Sequence, residues 1–141
     1  MSRTTRLVLA VWPLACALAV CAPLLAPGFV LSRDLVFVPD LGLRRDVLGL
    51  GTALPRAVPS DAVVAVLDNL TGGMVLEKLV LLAIPAGAGW GMVRLVRAIP
   101  SAGSFAALAA ATFYVWNPFV AERLVLGHWP LLLAHAALPW L

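Results

Sequence analysis

Three apolar runs constrain this chain more than anything else in it. Residues 7–26 and 102–116 contain no charged side chain, and residues 74–93 hold only Glu77 and Lys78, close to their start. A helix of about 20 residues, rising ~1.5 Å per residue, covers the ~30 Å hydrocarbon core of a bilayer. A 141-residue soluble domain has no core able to hide three such runs. The composition agrees: 62% of residues are hydrophobic and 12% charged, against roughly 45–50% and about 25% in soluble domains. The expected fold class is therefore all-α, with polytopic transmembrane helices. Three to four spans are expected, joined by a long extracytoplasmic loop that carries a short amphipathic helix.

The first run begins after Arg3 and Arg6 and is interrupted by Pro13 and Pro23. Spanning helices tolerate proline where neighbouring groups re-satisfy the carbonyls it frees. A secretory signal peptide competes for this run. Its small-residue sites, Ala15-Cys16-Ala17 and Ala17-Leu18-Ala19, are weak, and Val20 fits poorly before Cys21 in a lipoprotein-type site. With later spans following, an uncleaved first helix is expected. Cys16 and Cys21 lie five helical positions apart, roughly 8 Å between Cα atoms. That is too far for a disulfide, and they read as small core or lipid-facing residues.

Residues 27–73 form the polar loop, with four arginines and five aspartates. Pro59-Ser60-Asp61 reads as a helix start. Val63, Val64, Leu67 and Leu70 then share one helical face, with Asp61, Ala65 and Asp68 on the other. The expectation is a short helix lying apolar-face-down on the membrane surface, ended by Gly72-Gly73. The second span, 74–93, contains Gly87, Gly89 and Gly91, which read as packing notches. Asn117-Pro118 closes the third span, 102–116, and a separate short helix follows over 119–126. The fourth run, 128–141, has only roughly 12 residues beyond Pro130, ~18 Å of helix. It is incomplete as a span, so the chain reads as the N-terminal part of a longer protein, expected to be unstable alone.

Arg3, Arg6, Arg94 and Arg97 flank span ends on one side with no acidic neighbours. Lysine and arginine in short flanks mark the cytoplasmic face. The reading is a multi-pass protein of the plasma (inner) membrane with a cytoplasmic N-terminus and the 27–73 loop outside. Trp12, Trp90, Trp116 and Trp129 fall toward span ends, as interfacial anchors do. The bilayer is thus the first expected partner. No basic face with interleaved aromatics points to nucleic acid.

No phosphate-binding glycine loop, paired-cysteine zinc pattern or nucleophile elbow is present. His128 and His135, seven apart, do not make a metal site by themselves, so no metal ligand is assigned. Cofactors stay open, a divalent cation included. The informative residues are charges held near the outer surface. Asp34, with Asp40 beyond an apolar stretch, offers a carboxylate able to act as general base or to orient a hydroxyl. Pairing of Asp34 with Arg33 is the plainer alternative. Glu122-Arg123 lies between the third and fourth runs, and Arg123 is suited to clamp a lipid phosphate bidentately. A simple Glu122–Arg123 pair or a headgroup contact is the plainer alternative there.

The stretch from Trp116-Asn117-Pro118-Phe119-Val120 through Glu122-Arg123 and Gly127-His128-Trp129, then an apolar run ending in Leu138-Pro139, resembles a pattern in large bacterial and archaeal membrane proteins. Those proteins look like members of the GT-C glycosyltransferase superfamily, to which arabinofuranosyl- and mannosyltransferases of cell-envelope assembly belong. Arg33-Asp34-Leu35-Val36-Phe37-Val38-Pro39-Asp40 and Leu54-Pro55-Arg56 resemble their first outer loop. The resemblance covers only the N-terminal fraction of such a protein. It implies a polyprenyl-phosphate-linked sugar as donor and a glycan acceptor. It further implies a catalytic acid at Asp34, with Asp40 second, and substrate-binding roles for Arg56, Glu122, Arg123 and His128. The alternative is a non-catalytic integral membrane subunit, a transporter or assembly component.

Overall fold

The computed structural model describes residues 2–30, 32–35, 37–38, 42–45, 47–50 and 58–141. Among the described residues all regular structure is helical. Helix α1 is Arg3–Cys21, followed by a 3₁₀ turn at Ala22–Leu25; α2 is Ser60–Thr71, α3 Gly73–Arg97, α4 Ser104–Val115, α5 Pro118–Leu126 and α6 Trp129–Ala137, with a closing 3₁₀ turn at Leu138–Trp140. Three stretches are long and apolar enough to cross a membrane: Arg3–Leu25, Gly73–Arg97 and Ser104–Leu126.

Side-chain contacts fix how the three stretches run. Trp90 Nε1 donates to the Ala10 carbonyl at 2.7 Å and Lys78 Nζ donates to the Leu24 carbonyl at 2.7 Å. The chain numbers rise along α1 as they fall along α3, so the two helices are antiparallel. Arg97 Nη1 reaches Ser104 Oγ at 3.4 Å, and Val115 packs on Gly89, so α4 is antiparallel to α3 as well. A Cβ on Gly89 would stand 2.8 Å from Pro13 Cβ, and one on Gly91 would stand 2.5 Å from Trp140 Nε1. Both are packing notches, as small residues between membrane helices should be.

The proline in α3 has an identifiable partner. Pro85 has no N–H to offer the Leu81 carbonyl, four residues earlier. Cys21 Sγ fills that gap, donating to Leu81 O at 3.2 Å. Replacing Cys21 with serine keeps a donor there. Replacing it with alanine orphans the carbonyl and is expected to cost about 1 kcal/mol. Unfolding transitions of the purified chain in detergent, serine against alanine, check this.

The expected stop and separate short helix are present: α4 ends at Val115 and α5 runs Pro118–Leu126, and the two together are long and apolar enough to cross a membrane. Two expectations are corrected. Val64 does not share the outward face of α2 with Val63, Leu67 and Leu70. Asp61, Val64 and Ala65 are buried, while Val63, Val66, Leu67 and Leu70 are exposed. A helix in lipid can present its apolar side outward and keep polar groups against protein. A sequence pattern names two faces without saying which one meets the neighbour. Finally, Trp129 is buried, at 6% exposure, and packs on Phe37 with centroids 5.7 Å apart, and Trp116 stands at the helix break. Trp129 is thus packed inside the protein, unlike a free-standing interfacial anchor.

The break itself is chemically complete. Pro118 at the first position of α5 cannot donate to the Tyr114 carbonyl. Asn117 Nδ2 donates to Tyr114 O at 2.9 Å and to Phe113 O at 3.3 Å. Its Oδ1 accepts from Val120 N at 3.0 Å. One side chain thus closes the end of α4 and caps the start of α5. Non-helical backbone at membrane depth survives where such partners exist.

Candidate functional site

The site forms where the loop after α1 meets the C-terminal end of α5. The last four carbonyls of a helix lack intrahelical partners, and here each has one. Gly127, with φ +78°, lets the chain turn, and His128 N donates to Arg123 O at 2.9 Å and Gly127 N to Leu124 O at 3.1 Å. This pair of bonds is a Schellman motif. The remaining two carbonyls are taken by the loop. Ser32 Oγ donates to Val125 O at 2.6 Å, and Asp34 N donates to Leu126 O at 3.2 Å.

That docking brings Asp34 to His128, 94 residues away in sequence. His128 Nε2 stands 2.8 Å from Asp34 Oδ2, and His128 Nδ1 stands 3.1 Å from Arg123 Nη1. A guanidinium can only donate. Facing one, Nδ1 must accept, so the ring is assigned as the neutral Nε2–H tautomer, donating to the carboxylate. The Asp34 side chain is 61% exposed, so the pair itself adds little stability. The backbone bonds hold the loop, and the His–Asp contact orients the carboxylate.

Gly127 is the tightest point of the docking. A Cβ there would lie 2.6 Å from Leu35 N and 3.1 Å from Asp34 N. Gly127→Ala is expected to push the loop off α5 and separate Asp34 from His128, beyond the ~1 kcal/mol of a strained left-handed residue. Hydrogen–deuterium exchange at Asp34 and Leu35 should rise sharply in that variant. Unchanged protection would show that the loop is held elsewhere.

Of the residues singled out from sequence, the structure brings together Asp34, Arg123 and His128. Glu122 is attached through Arg123, 3.5 Å from Nη2, and its side chain is 60% exposed. Asp40 and Arg56 lie outside the described residues. Asp34 pairs with His128 and not with Arg33. Arg123 is committed within the protein, with Nη1 on His128, Nη2 toward Glu122 and its guanidinium 5.6 Å over Phe119. It is placed to support His128 and is not presented as an open clamp. His135 is elsewhere, stacked on Tyr114 at 4.1 Å. Among the described residues, no group of three His, Cys, Asp or Glu side chains could hold a metal ion.

Sequence reasoning missed two features. Glu77 is fully buried, and both carboxylate oxygens accept from Val30 N at 3.1 Å, with Lys78 Nζ at 3.3 Å. It ties the start of the loop to α3. Its position in an apolar run was the signal that could have found it. The second is a cavity of about 620 Å³ beside the site, walled by α1, α5 and the loop, with Arg33 at its edge.

The fold and site define a class: among the described residues, an all-helical protein with three membrane-length apolar stretches and a polar cluster formed by a loop docked on a broken helix. No protein-family model, curated protein or solved structure matches this chain.

Proposed function

We propose that the chain provides the extracytoplasmic acid–base site of a GT-C-like membrane glycosyltransferase. The donor would be a polyprenyl-phosphate-linked sugar and the acceptor a cell-envelope glycan. The observation that carries this reading is the Asp34–His128–Arg123 chain of hydrogen bonds. Asp34 Oδ2 is engaged by the ring, which leaves Oδ1 to accept a proton from an acceptor hydroxyl as that oxygen attacks the anomeric carbon and the C–O bond to phosphate breaks, the polyprenyl phosphate leaving as the anion. His128 fixes the rotamer of the carboxylate, and Arg123 fixes the tautomer of His128. The resemblance of the Asn117–His128 and Arg33–Asp40 segments supports the same reading. The test is sugar transfer from a polyprenyl-phosphate donor in membranes containing the full-length protein. Wild-type transfer with loss in Asp34→Asn is expected. Absence of any donor turnover sinks the reading.

The reading includes a plasma-membrane location with the N-terminus in the cytoplasm. Arg3, Arg6, Arg94 and Arg97 cluster at one end of the antiparallel helices, and the Asp34 loop lies at the other, which supports this orientation. In a Cys16→Ala, Cys21→Ser background, a cysteine at Thr52 should react with a membrane-impermeant reagent in intact cells, and one at Ser101 should not. The reverse pattern would overturn the orientation and, with it, an extracytoplasmic site.

A further inference from the structure

The cavity beside Asp34 has walls of uniform character. α1 and α4 pack together, but α5, deflected at Trp116-Asn117, makes no comparable contact with α1. The wedge between them is filled by nothing from the described residues. Its sides are Val20, Leu24, Val30, Val120 and Leu124, and exposed Ala19, Pro23, Ala121 and Val125 form a rim. The Ser32 and Asn117 side chains in the wall are already engaged, and the Trp116 indole N–H is a neutral donor. Ser32 Oγ bonds Val125 O, and the Asn117 amide bonds the ends of α4 and α5. Arg33 is the exception. It is exposed, is the one charged side chain among the described lining residues, and has no ion-pair partner among the described residues.

Such a site takes an apolar body with a single anionic group. Along α5 the cavity is walled from Val120 to Val125, five helical steps or ~7.5 Å. Its volume is in the range of specific ligand sites, ~300–1,000 Å³. We propose that the cavity holds one acyl chain of an anionic phospholipid from the surrounding leaflet, with the lipid phosphate on the Arg33 guanidinium. A planar guanidinium engages phosphate oxygens through two parallel N–H donors. A volume of about 620 Å³ suits one acyl chain better than a much longer polyprenyl chain. This inference rests on the membrane orientation proposed above and is independent of sugar transfer. A bound lipid there would brace α5 and the Ser32–Asp34 loop together, and so keep the Asp34–His128 contact closed.

The test uses the full chain in nanodiscs of phosphatidylcholine doped with phosphatidylglycerol, with retained lipid read by native mass spectrometry. Phosphatidylglycerol should be enriched over its mole fraction. Arg33→Gln should cut the enrichment roughly tenfold, the equivalent of ~1.4 kcal/mol. Ala121→Trp, which fills the wedge and leaves Arg33 intact, should abolish retention of either lipid. Asp34→Asn should leave retention unchanged, and that separates a failure here from a failure of the glycosyltransferase reading. Equal retention of both lipids, or full enrichment in Arg33→Gln or in Ala121→Trp, overturns the proposal. So does displacement by inorganic phosphate, which would mean a free-anion site. Preferential uptake of a polyprenyl phosphate added at equal mole fraction would also overturn it, by assigning the cavity to the donor.

Discussion

Asp34→Asn is expected to lower glycosyl transfer by about 10²-fold or more, the usual size of a general-base contribution. Asparagine keeps the shape of the side chain and can still accept from His128 Nε2–H, so the loop stays docked. Its backbone bond to Leu126 does not involve the side chain. Membrane levels should therefore match wild type, and the loss should fall on turnover more than on apparent affinity. His128→Gln separates base from support. Glutamine can donate to Asp34 but lacks the rigid ring that spans from Asp34 to Arg123. An intermediate loss, roughly tenfold, is expected, with the pH profile displaced from that of wild type. Asp40→Asn serves as the comparison. If it is inactive while Asp34→Asn turns over near normally, the base is Asp40 and the role given to the Asp34–His128 contact is wrong.

The other large effect is structural. Glu77→Ala is expected to cost about 3–5 kcal/mol, the scale for removing one member of a buried charged pair. The cost has two parts. Val30 N–H loses the carboxylate that both oxygens serve, and Lys78, 17% exposed, is left with Leu24 O as its remaining partner. A membrane domain with the usual ~5–15 kcal/mol of stability would lose about a fifth of it or more. Thermal unfolding in detergent, followed by tryptophan fluorescence, should show a much lower midpoint for Glu77→Ala than for Glu77→Gln, which keeps an acceptor for Val30. Because Val30 leads into Ser32 and Asp34, the alanine variant should also loosen the docked loop. A midpoint within error of wild type would mean that Glu77 does not anchor the loop.

How much was legible in the sequence differs from element to element. The span at 7–26 was clear because a bilayer demands about 20 apolar residues in a row, and that demand is local. Asn117-Pro118 was legible as a helix stop for the same reason: proline lacks an N–H wherever it stands. The direction of the chain after that stop was not legible. Whether α5 turns aside or continues the span depends on what it packs against, which the Asn117-Pro118 pair does not encode. The site divides along the same line. Asp34, Arg123 and His128 stood out as charged or titratable groups near apolar runs, but nothing in the sequence paired the first with the third. That pairing needs Gly127 to let a backbone pass within contact distance, and it needs two orphan carbonyls of α5 to draw in the loop.

The sequence by itself determined that this is an all-helical chain with membrane-length apolar segments. It also determined where helices start and stop, through Pro59-Ser60-Asp61, Gly72-Gly73 and Asn117-Pro118, because those properties follow from single residues and their immediate neighbours. Only the tertiary structure decided which face of α2 is buried. It alone joined Cys21 to the carbonyl that Pro85 frees, opened a cavity beside Arg33, and brought Asp34, His128 and Arg123 into one hydrogen-bonded chain. Each of these depends on groups tens of residues apart, whose meeting is set by how antiparallel helices pack and by which unsatisfied backbone groups must find partners away from water.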